Sequence, residues 1–364
     1  MNTDILIVGG GLSGLSIARQ LQSLNVDYHL VEARPRLGGR ILTQSLDYQG
    51  KTGYFDLGPA WFWPGQPRIA QLMKELNLTA FLQYAKGELN FEDEQGQVFR
   101  GRGYASMAGS YRLQGGLAKL VDSIAQQLDQ TRLSLGLKVV SFEKSTDSIL
   151  ANCVDSQNSR QANINCKRVI LALPPRIIAD QIAFNPPLPP KAIAQMSKIP
   201  TWMAGEAKIV AVYDRPFWKE AGLSGDAMSR LGPMAEIHDA SPHHEQLSAL
   251  FGFVGVPAIN RHNNVDQLLQ NAQTQLVRLF GKEALNPIEL IFQDWSQEPE
   301  TATKLDFLRQ YGHPSYGLPH ILTNLWQGKL ILSSTEIATS FGGYLEGALE
   351  ASEMTLKTLL NSLH

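Results

Sequence analysis

The feature that most restricts the fold is Gly9-x-Gly11-x-x-Gly14, which lies between an apolar run at residues 5–8 and an amphipathic stretch at residues 13–24. A second apolar run follows at residues 28–31 and ends at Glu32. Strand, glycine turn, helix, strand and acid in that order make a βαβ unit whose first turn can receive a pyrophosphate. The first glycine permits the tight turn and the second lets backbone approach the phosphates. The third lets helix and strand pack closely, with the positive helix N-terminus facing the anion. Glu32 sits where a carboxylate accepts hydrogen bonds from both adenosine ribose hydroxyls, and its charge disfavours a 2′-phosphate. The turn alone does not separate NAD from FAD, and a glycine turn in an ordinary α/β domain is the plain alternative.

The rest of the chain is consistent with a soluble two-domain protein sharing a cleft. It has 364 residues, 43% hydrophobic and 18% charged, with a net charge of -2, so no nucleic-acid partner is expected. No apolar run reaches the roughly eighteen residues that span a bilayer, and Met1-Asn2-Thr3-Asp4 leads directly into a strand without a basic region. The expectation is a cytoplasmic protein with no membrane contact. Cys153 and Cys166 lack metal-ligand spacing, so reduced thiols and no metal site are expected.

Helical patterns recur at residues 68–76, from Gly115-Gly116 to residue 128, and at residues 344–360. Strands are expected at 138–143, at 168–173 before Pro174-Pro175, and at 330–332. Residues 81–109 form a polar, short-stranded excursion, and Pro186-Pro187-Leu188-Pro189-Pro190 is a linker signature. Strands and turns are expected from there to about residue 295.

The segment after Glu32 carries a resemblance. Glu32-Ala33-Arg34-Pro35-Arg36-Leu37-Gly38-Gly39-Arg40 resembles the extended fingerprint of FAD enzymes of the flavin-containing amine oxidase superfamily, where paired glycines and an arginine meet the diphosphate. Two glycines allow close approach and a guanidinium supplies a bidentate counter-charge. Asp56-Leu57-Gly58-Pro59-Ala60-Trp61 is similar to the segment that family runs along the flavin, and Tyr111-Arg112-Leu113-Gln114-Gly115-Gly116-Leu117 to its next return. Val139 lies on the strand where family members contact adenine, and as a core valine it reads equally well.

Further matches imply roles at the flavin. Lys208-Ile209-Val210-Ala211-Val212-Tyr213-Asp214-Arg215-Pro216-Phe217-Trp218 resembles monoamine oxidases, in which the lysine holds a water near flavin N5 and aids reoxidation by O2. A lysine that snorkels to the surface is the alternative. Asp294-Trp295 resembles the turn back into the FAD domain, with Trp295 either beside the flavin or in the core. Leu332-Ser333-Ser334-Thr335-Glu336 and Gly343-Tyr344-Leu345-Glu346-Gly347-Ala348 are similar to the closing flavin motif. The resemblance gives Glu336 the ribityl chain and Tyr344 one wall of an aromatic cage, and points the helix starting near Gly343 at the isoalloxazine.

The resemblance extends from Asp4 to Leu360, with three departures. Glu300-Thr301-Ala302-Thr303-Lys304-Leu305 lacks the aromatic that supplies a second cage wall, Ser333-Ser334 replaces Ala-Gly, and the excursion at 81–109 is short, which implies a wider cleft. The expected fold is α/β with an α+β second domain. A discontinuous, NAD(P)-binding-like Rossmann FAD domain (residues 1–80, 110–175 and 294–364) joins a mixed-sheet substrate domain (81–109 and 176–293).

The expected cofactor-binding residues are Gly9, Gly11, Leu12, Ser13, Gly14, Glu32, Ala33, Arg34, Gly38, Gly39, Arg40, Gly58, Pro59, Ala60, Trp61, Val139, Glu336, Gly343, Tyr344 and Leu345. Lys208, Tyr344 and Trp295 are the expected catalytic residues. Neither cysteine lies near a flavin-facing match, so FAD is expected to be non-covalent. The implied reaction oxidises an amine to an imine by hydride transfer to flavin N5, with O2 giving H2O2. A flavin desaturase, a renalase-like oxidase of a cyclic substrate, and a catalytically decayed flavin-binding partner protein remain as alternatives.

Overall fold

The glycine turn joins two strands of a sheet whose parallel core is buried on both faces, as the near-continuous apolar runs require. In the computed structural model, which describes all residues except 244, 245, 262, 309, 311 and 362–364, the strand Asn2–Val8 lies between Tyr28–Glu32 and Gln161–Leu171, parallel to both. Leu133–Leu135 extends the sheet beyond Tyr28–Glu32, and Leu330–Leu332 pairs with the end of Gln161–Leu171. The start of that long strand turns instead into an antiparallel meander with Ile149–Asp155 and Leu137–Lys144. Ala183–Asn185 pairs with the meander's edge, so the first sheet still collects chain after residue 176.

The helix Leu12–Ser23 buries Leu15, Ile17, Ala18 and Leu21 on this sheet, and the final helix Leu345–Asn361 packs beside it. The last helix can lie there because Leu349, Leu356 and Leu359 recur at helical spacing on its inner face. The expected linker is a packed corner instead. Leu188 is buried, and Pro190 opens the helix Pro190–Lys198, where its fixed φ suits the first helical position.

A second, seven-stranded sheet carries Ala207–Tyr213 near one edge, between Ser248–Val254 and Glu289–Asp294. The excursion supplies its far edge, as Glu88–Glu92 pairs parallel with Leu223–Ser229 and Val98–Arg100 follows. Helices depart from the sequence expectation of strands and turns here: besides Pro190–Lys198 and the short Phe217–Glu220 and Ala258–Arg261, Val265–Phe280 is a long helix. Leu268, Ala272, Leu276 and Leu279 form its buried stripe against this sheet. Among the described residues, no helix is long and apolar enough to cross a membrane.

Candidate active site

One mostly apolar cavity of 480 Å³ runs along the carboxyl ends of the first sheet's parallel strands and reaches the second sheet. Its walls include Gly9, Gly11, Leu12, Ser13, Glu32, Ala33, Arg34, Gly38, Gly39, Arg40, Gly58, Pro59, Ala60, Trp61, Val139, Lys208, Trp295, Gly343, Tyr344 and Leu345. Of the expected cofactor-binding and catalytic residues, two stand behind the wall. A Cβ at Gly14 would lie 2.0 Å from the Gly9 carbonyl oxygen, so its role is helix-to-turn packing. Glu336 is fully buried behind Arg40 and accepts its hydrogen bond at 2.7 Å.

At the first end the cavity is made mainly of backbone. Gly9 takes φ +108° and donates to the Val31 carbonyl at 2.8 Å, which folds the turn back over the second strand. Gly38 donates to the Gly10 carbonyl and brings the second glycine pair alongside the first. A Cβ at Gly11 would meet nothing nearer than the Gly38 carbonyl oxygen at 4.0 Å, which leaves room for a ligand to touch backbone. Glu32 accepts from the Gly10 N–H at 2.7 Å through one carboxylate oxygen and from the Arg34 N–H at 2.8 Å through the other. Each oxygen keeps a second lone pair for a ligand hydroxyl. The rim there is tied by charge: Arg34 binds Glu298 and Thr301, and Lys138 binds Glu300 and Gln181.

Two polar atoms beside this end are buried without a hydrogen-bond partner among the described residues: Ser334 Oγ, on the cavity wall, and Glu336 Oε2. Uncompensated buried polar atoms are costly, so such atoms mark places a ligand can satisfy. The replacement of Ala-Gly by Ser333-Ser334 splits into two cases. Ser333 is satisfied inside the protein, its hydroxyl 3.0 Å from that of Ser13, and Ser334 is not.

At the other end the walls are side chains from the second sheet and the loops. Lys208 Nζ donates to the Gly58 carbonyl at 2.5 Å, and Trp295 Nε1 donates to the Leu57 carbonyl at 3.0 Å. Two residues distant in sequence thus fasten to one turn of backbone. Gly58 is obligatory there because a Cβ would sit 1.9 Å from the Arg40 carbonyl oxygen.

The Lys208 ammonium lies over Phe251 at 4.7 Å, Phe253 at 5.3 Å and Trp61 at 5.7 Å. Burial pushes Lys208 down to about 7; Asp56 opposes that shift and Arg112 adds to it. Lys208 is therefore a buried cavity residue and does not snorkel to the surface.

The segment 300–305 contributes Glu300 and Thr301 to the cavity and no aromatic. Aromatic walls come instead from Trp63 and Trp202, joined by Met107, Met203 and Phe253. Trp63 meets Tyr344 edge to face at 6.2 Å. Alternation in Trp61-Phe62-Trp63 carried a signal for Trp63, since Phe62 turns into the core and its neighbours turn to the cavity. Trp202 and Met203 had none: they sit in an irregular turn, with Met203 at φ +61°. Cys153 and Cys166 lie in the core beneath the meander, where burial pushes their thiols up to about 11 and about 12.

A family model described as flavin containing amine oxidoreductase matches residues 12–106 and 85–355. The chain is 22% identical to the probable flavin-containing monoamine oxidase A of Dictyostelium discoideum, over 99% of this chain and 98% of that protein. It is 24% identical to amine oxidase [flavin-containing] A of Canis lupus familiaris, over 99% of this chain and 85% of the relative. Among solved structures, cyclohexylamine oxidase from Brevibacterium oxydans shares the fold at a TM-score of 0.81 and 18% identity, each chain covered over 100%. Putrescine oxidase bound to putrescine does so at 0.80 and 19%, over 99% of each chain. The likeness holds over the whole chain, glycine turn and closing helix included, and so the protein belongs to the flavin-containing amine oxidoreductase family and is a flavin-dependent oxidoreductase.

Proposed function

We propose that the cavity holds FAD non-covalently and that the protein oxidises a small amine to its imine, with O2 as the final electron acceptor. The observation that carries this reading is one cavity with a glycine-built, acid-tipped end suited to a dinucleotide and an aromatic-walled end suited to an amine, with Lys208 fastened between them. The orphaned Ser334 hydroxyl on the wall and the open approach at Gly11 fit the group. In this reading Glu32 takes the ribose hydroxyls and Arg40 the diphosphate, with Glu336 behind Arg40 holding its guanidinium rather than meeting the ribityl chain. The N-terminal end of Leu345–Asn361 opens on the cavity at Leu345 and would offer a bound flavin its positive pole. Neither cysteine lines the cavity, which supports non-covalent binding. When bound, FAD supplies the redox chemistry, accepting a hydride equivalent from the carbon beside the amine nitrogen and yielding the electrons to O2 as H2O2.

The protein's own part is placement and electrostatics. Tyr344, Trp63 and Trp202 line a mostly apolar slot, and a low-polarity slot favours the neutral amine, whose nitrogen lone pair must be free for oxidation. Lys208 holds positive charge where oxygen gains electrons, and its lowered proton affinity lets it change protonation state near neutral pH. Trp295 braces the Leu57 backbone beside it. The aromatic slot supports the amine reading over the cyclic-substrate and decayed-site alternatives, because its walls persist without an aromatic from 300–305. Anaerobic mixing with a panel of primary and secondary amines tests this. Bleaching of the flavin by at least one, followed by H2O2 release on admitting air, is expected. Bleaching by carbocycles or dihydropyridines alone, or by nothing, defeats it.

A further inference from the structure

We propose that His313 is a positioning residue that wedges the two aromatic walls of the slot apart from behind and sets the gap an amine enters; this rests on the amine-oxidising reading of the cavity. The His313 ring is stacked on Tyr344 at 5.0 Å with a 12° interplanar angle, and it also meets Trp202 at 4.5 Å and 55°. Tyr344 and Trp202 both line the cavity, and His313 is not among its walls. The imidazole, exposed to solvent, therefore touches the two walls from outside the cavity.

Three neighbours hold it there. Its Nδ1 lies 2.9 Å from the Pro314 carbonyl oxygen, and an N–H at that nitrogen donates to the carbonyl and fixes the ring plane. Tyr316 meets its edge at 5.6 Å and is itself anchored by its hydroxyl to the Pro200 carbonyl at 2.9 Å. Gly343 clears the space, since a Cβ there would stand 3.0 Å from His313 Nε2 and 3.1 Å from Trp202, and its φ of +86° suits glycine alone. Tyr344 is itself 37% exposed, so without the wedge its ring has open rotamer space toward solvent. A wall free to swing must be ordered each time an amine binds, and that entropy is subtracted from affinity.

The experiment compares His313→Ala with His313→Phe in the holoenzyme, using benzylamine. The alanine variant is expected to raise KM about fivefold, the equivalent of about 1 kcal/mol for a lost aromatic pair. FAD content and the limiting rate of anaerobic flavin reduction should change by less than about twofold, since neither wall is removed. Phenylalanine keeps the stack and should return KM to within about twofold of wild type. An unchanged KM in the alanine variant, or a phenylalanine variant as weak as it, overturns the wedge.

If no amine reduces the wild-type flavin, the functional reading has failed and the wedge is judged by ring current alone. The His313 Cε1–H resonance should lie upfield of that of His320, which is equally exposed but has no ring contact among the described residues, and should move toward it when Trp202→Leu and Tyr344→Leu are combined. No difference between the two histidines overturns it.

Discussion

The two ends of the cavity are built on opposite plans. The dinucleotide end is glycine backbone held by the ladder of the first sheet, and its geometry follows from φ values and close approaches that few substitutions tolerate. The amine end is side chains drawn from four distant stretches, around residues 63, 202, 253 and 344, held by packing and ring contacts. A backbone-built site is fixed once its strands pair, whereas a side-chain-built site can be tuned one residue at a time. Substitutions in the glycine backbone should therefore act all-or-none, and substitutions of side chains in graded, separable ways.

The largest expected effect is at the first end. Gly14→Ala puts a methyl 2.0 Å from the Gly9 carbonyl oxygen, a backbone clash that no rotamer relieves. A cost of about 3 kcal/mol or more is expected, so FAD should bind about 100-fold more weakly. The flavin-to-protein ratio after desalting measures it. A variant that keeps full flavin would show that the turn is softer than its close contacts imply.

Next comes Lys208→Met at the junction of the two ends. Methionine fills the space among Trp61, Phe251 and Phe253 without the charge. Reoxidation by O2 should slow by about 100-fold, the cost of removing one preorganised charge, while flavin reduction by amine changes less than about threefold. In wild type, the ammonium that assists oxygen is lost as pH rises through about 7, so reoxidation should slow above that pH. The reduced flavin's negative charge moves the midpoint upward, and the limb disappears in the variant. Stopped-flow reduction and oxidation measured separately decide it, and equal slowing of both steps would remove Lys208 from the oxygen reaction.

A smaller effect separates the two serines that replace Ala-Gly. Ser334→Ala removes a hydroxyl whose partner is expected to be the cofactor, and FAD affinity should fall by up to about tenfold, the range of one hydrogen bond. Ser333→Ala loses only its contacts with Ser13 and the Ala351 carbonyl, and should leave FAD affinity as it is. Fluorescence titration of the apoprotein with FAD reads both. Equal losses would mean that the pair acts as one packing unit.

The same contrast explains what the sequence disclosed. Gly9, Gly11, Gly14 and Glu32 were legible because local chain geometry dictates them, and spacing alone carries that information. Trp63 was readable from strand-like alternation beside Trp61, and the helix Val265–Phe280 from the four-residue recurrence of Leu268, Ala272 and Leu276, although the region reads as strands at first sight. Trp202 and His313 were not readable. They meet only because the turn after the proline corner and the loop before the last strand fold against each other. No periodicity links residues 202 and 313. The segment 300–305 adds no aromatic to the cavity, and the aromatic walls come from Trp63, which alternation marks, and Trp202, which nothing local marks.

The smallest expected effect is a change of slope behind the amine end. Trp61 has its cavity face toward Lys208, and the ring of His238 meets it at 5.3 Å and 82°. His238 is buried, with Nδ1 2.7 Å from Asp226 and Nε2 3.0 Å from Glu236, whose carboxylate also accepts from Ser106. Burial alone would push His238 down; hydrogen bonds to Asp226 and Glu236 outweigh it, and the imidazole is raised above its usual 6.5. The His238 hydrogen bond is the main cause holding Glu236 below its usual 4.5, against burial.

The signs follow by linkage. The stability His238 adds is complete below 6.5 and lost as pH rises through its higher folded value, and that of Glu236 is complete above 4.5 and lost as pH falls through its lower one. Lys208 works the other way, its lowered value making stability rise with pH above about 7, but it does so equally in both proteins compared. His238→Gln should therefore cost most near pH 5.5 and progressively less toward pH 8.5, as read by urea unfolding of wild type and variant side by side. A gap between the two that is flat, or that widens with pH, means that His238 is neutral in the fold and that Trp61 is held by packing alone.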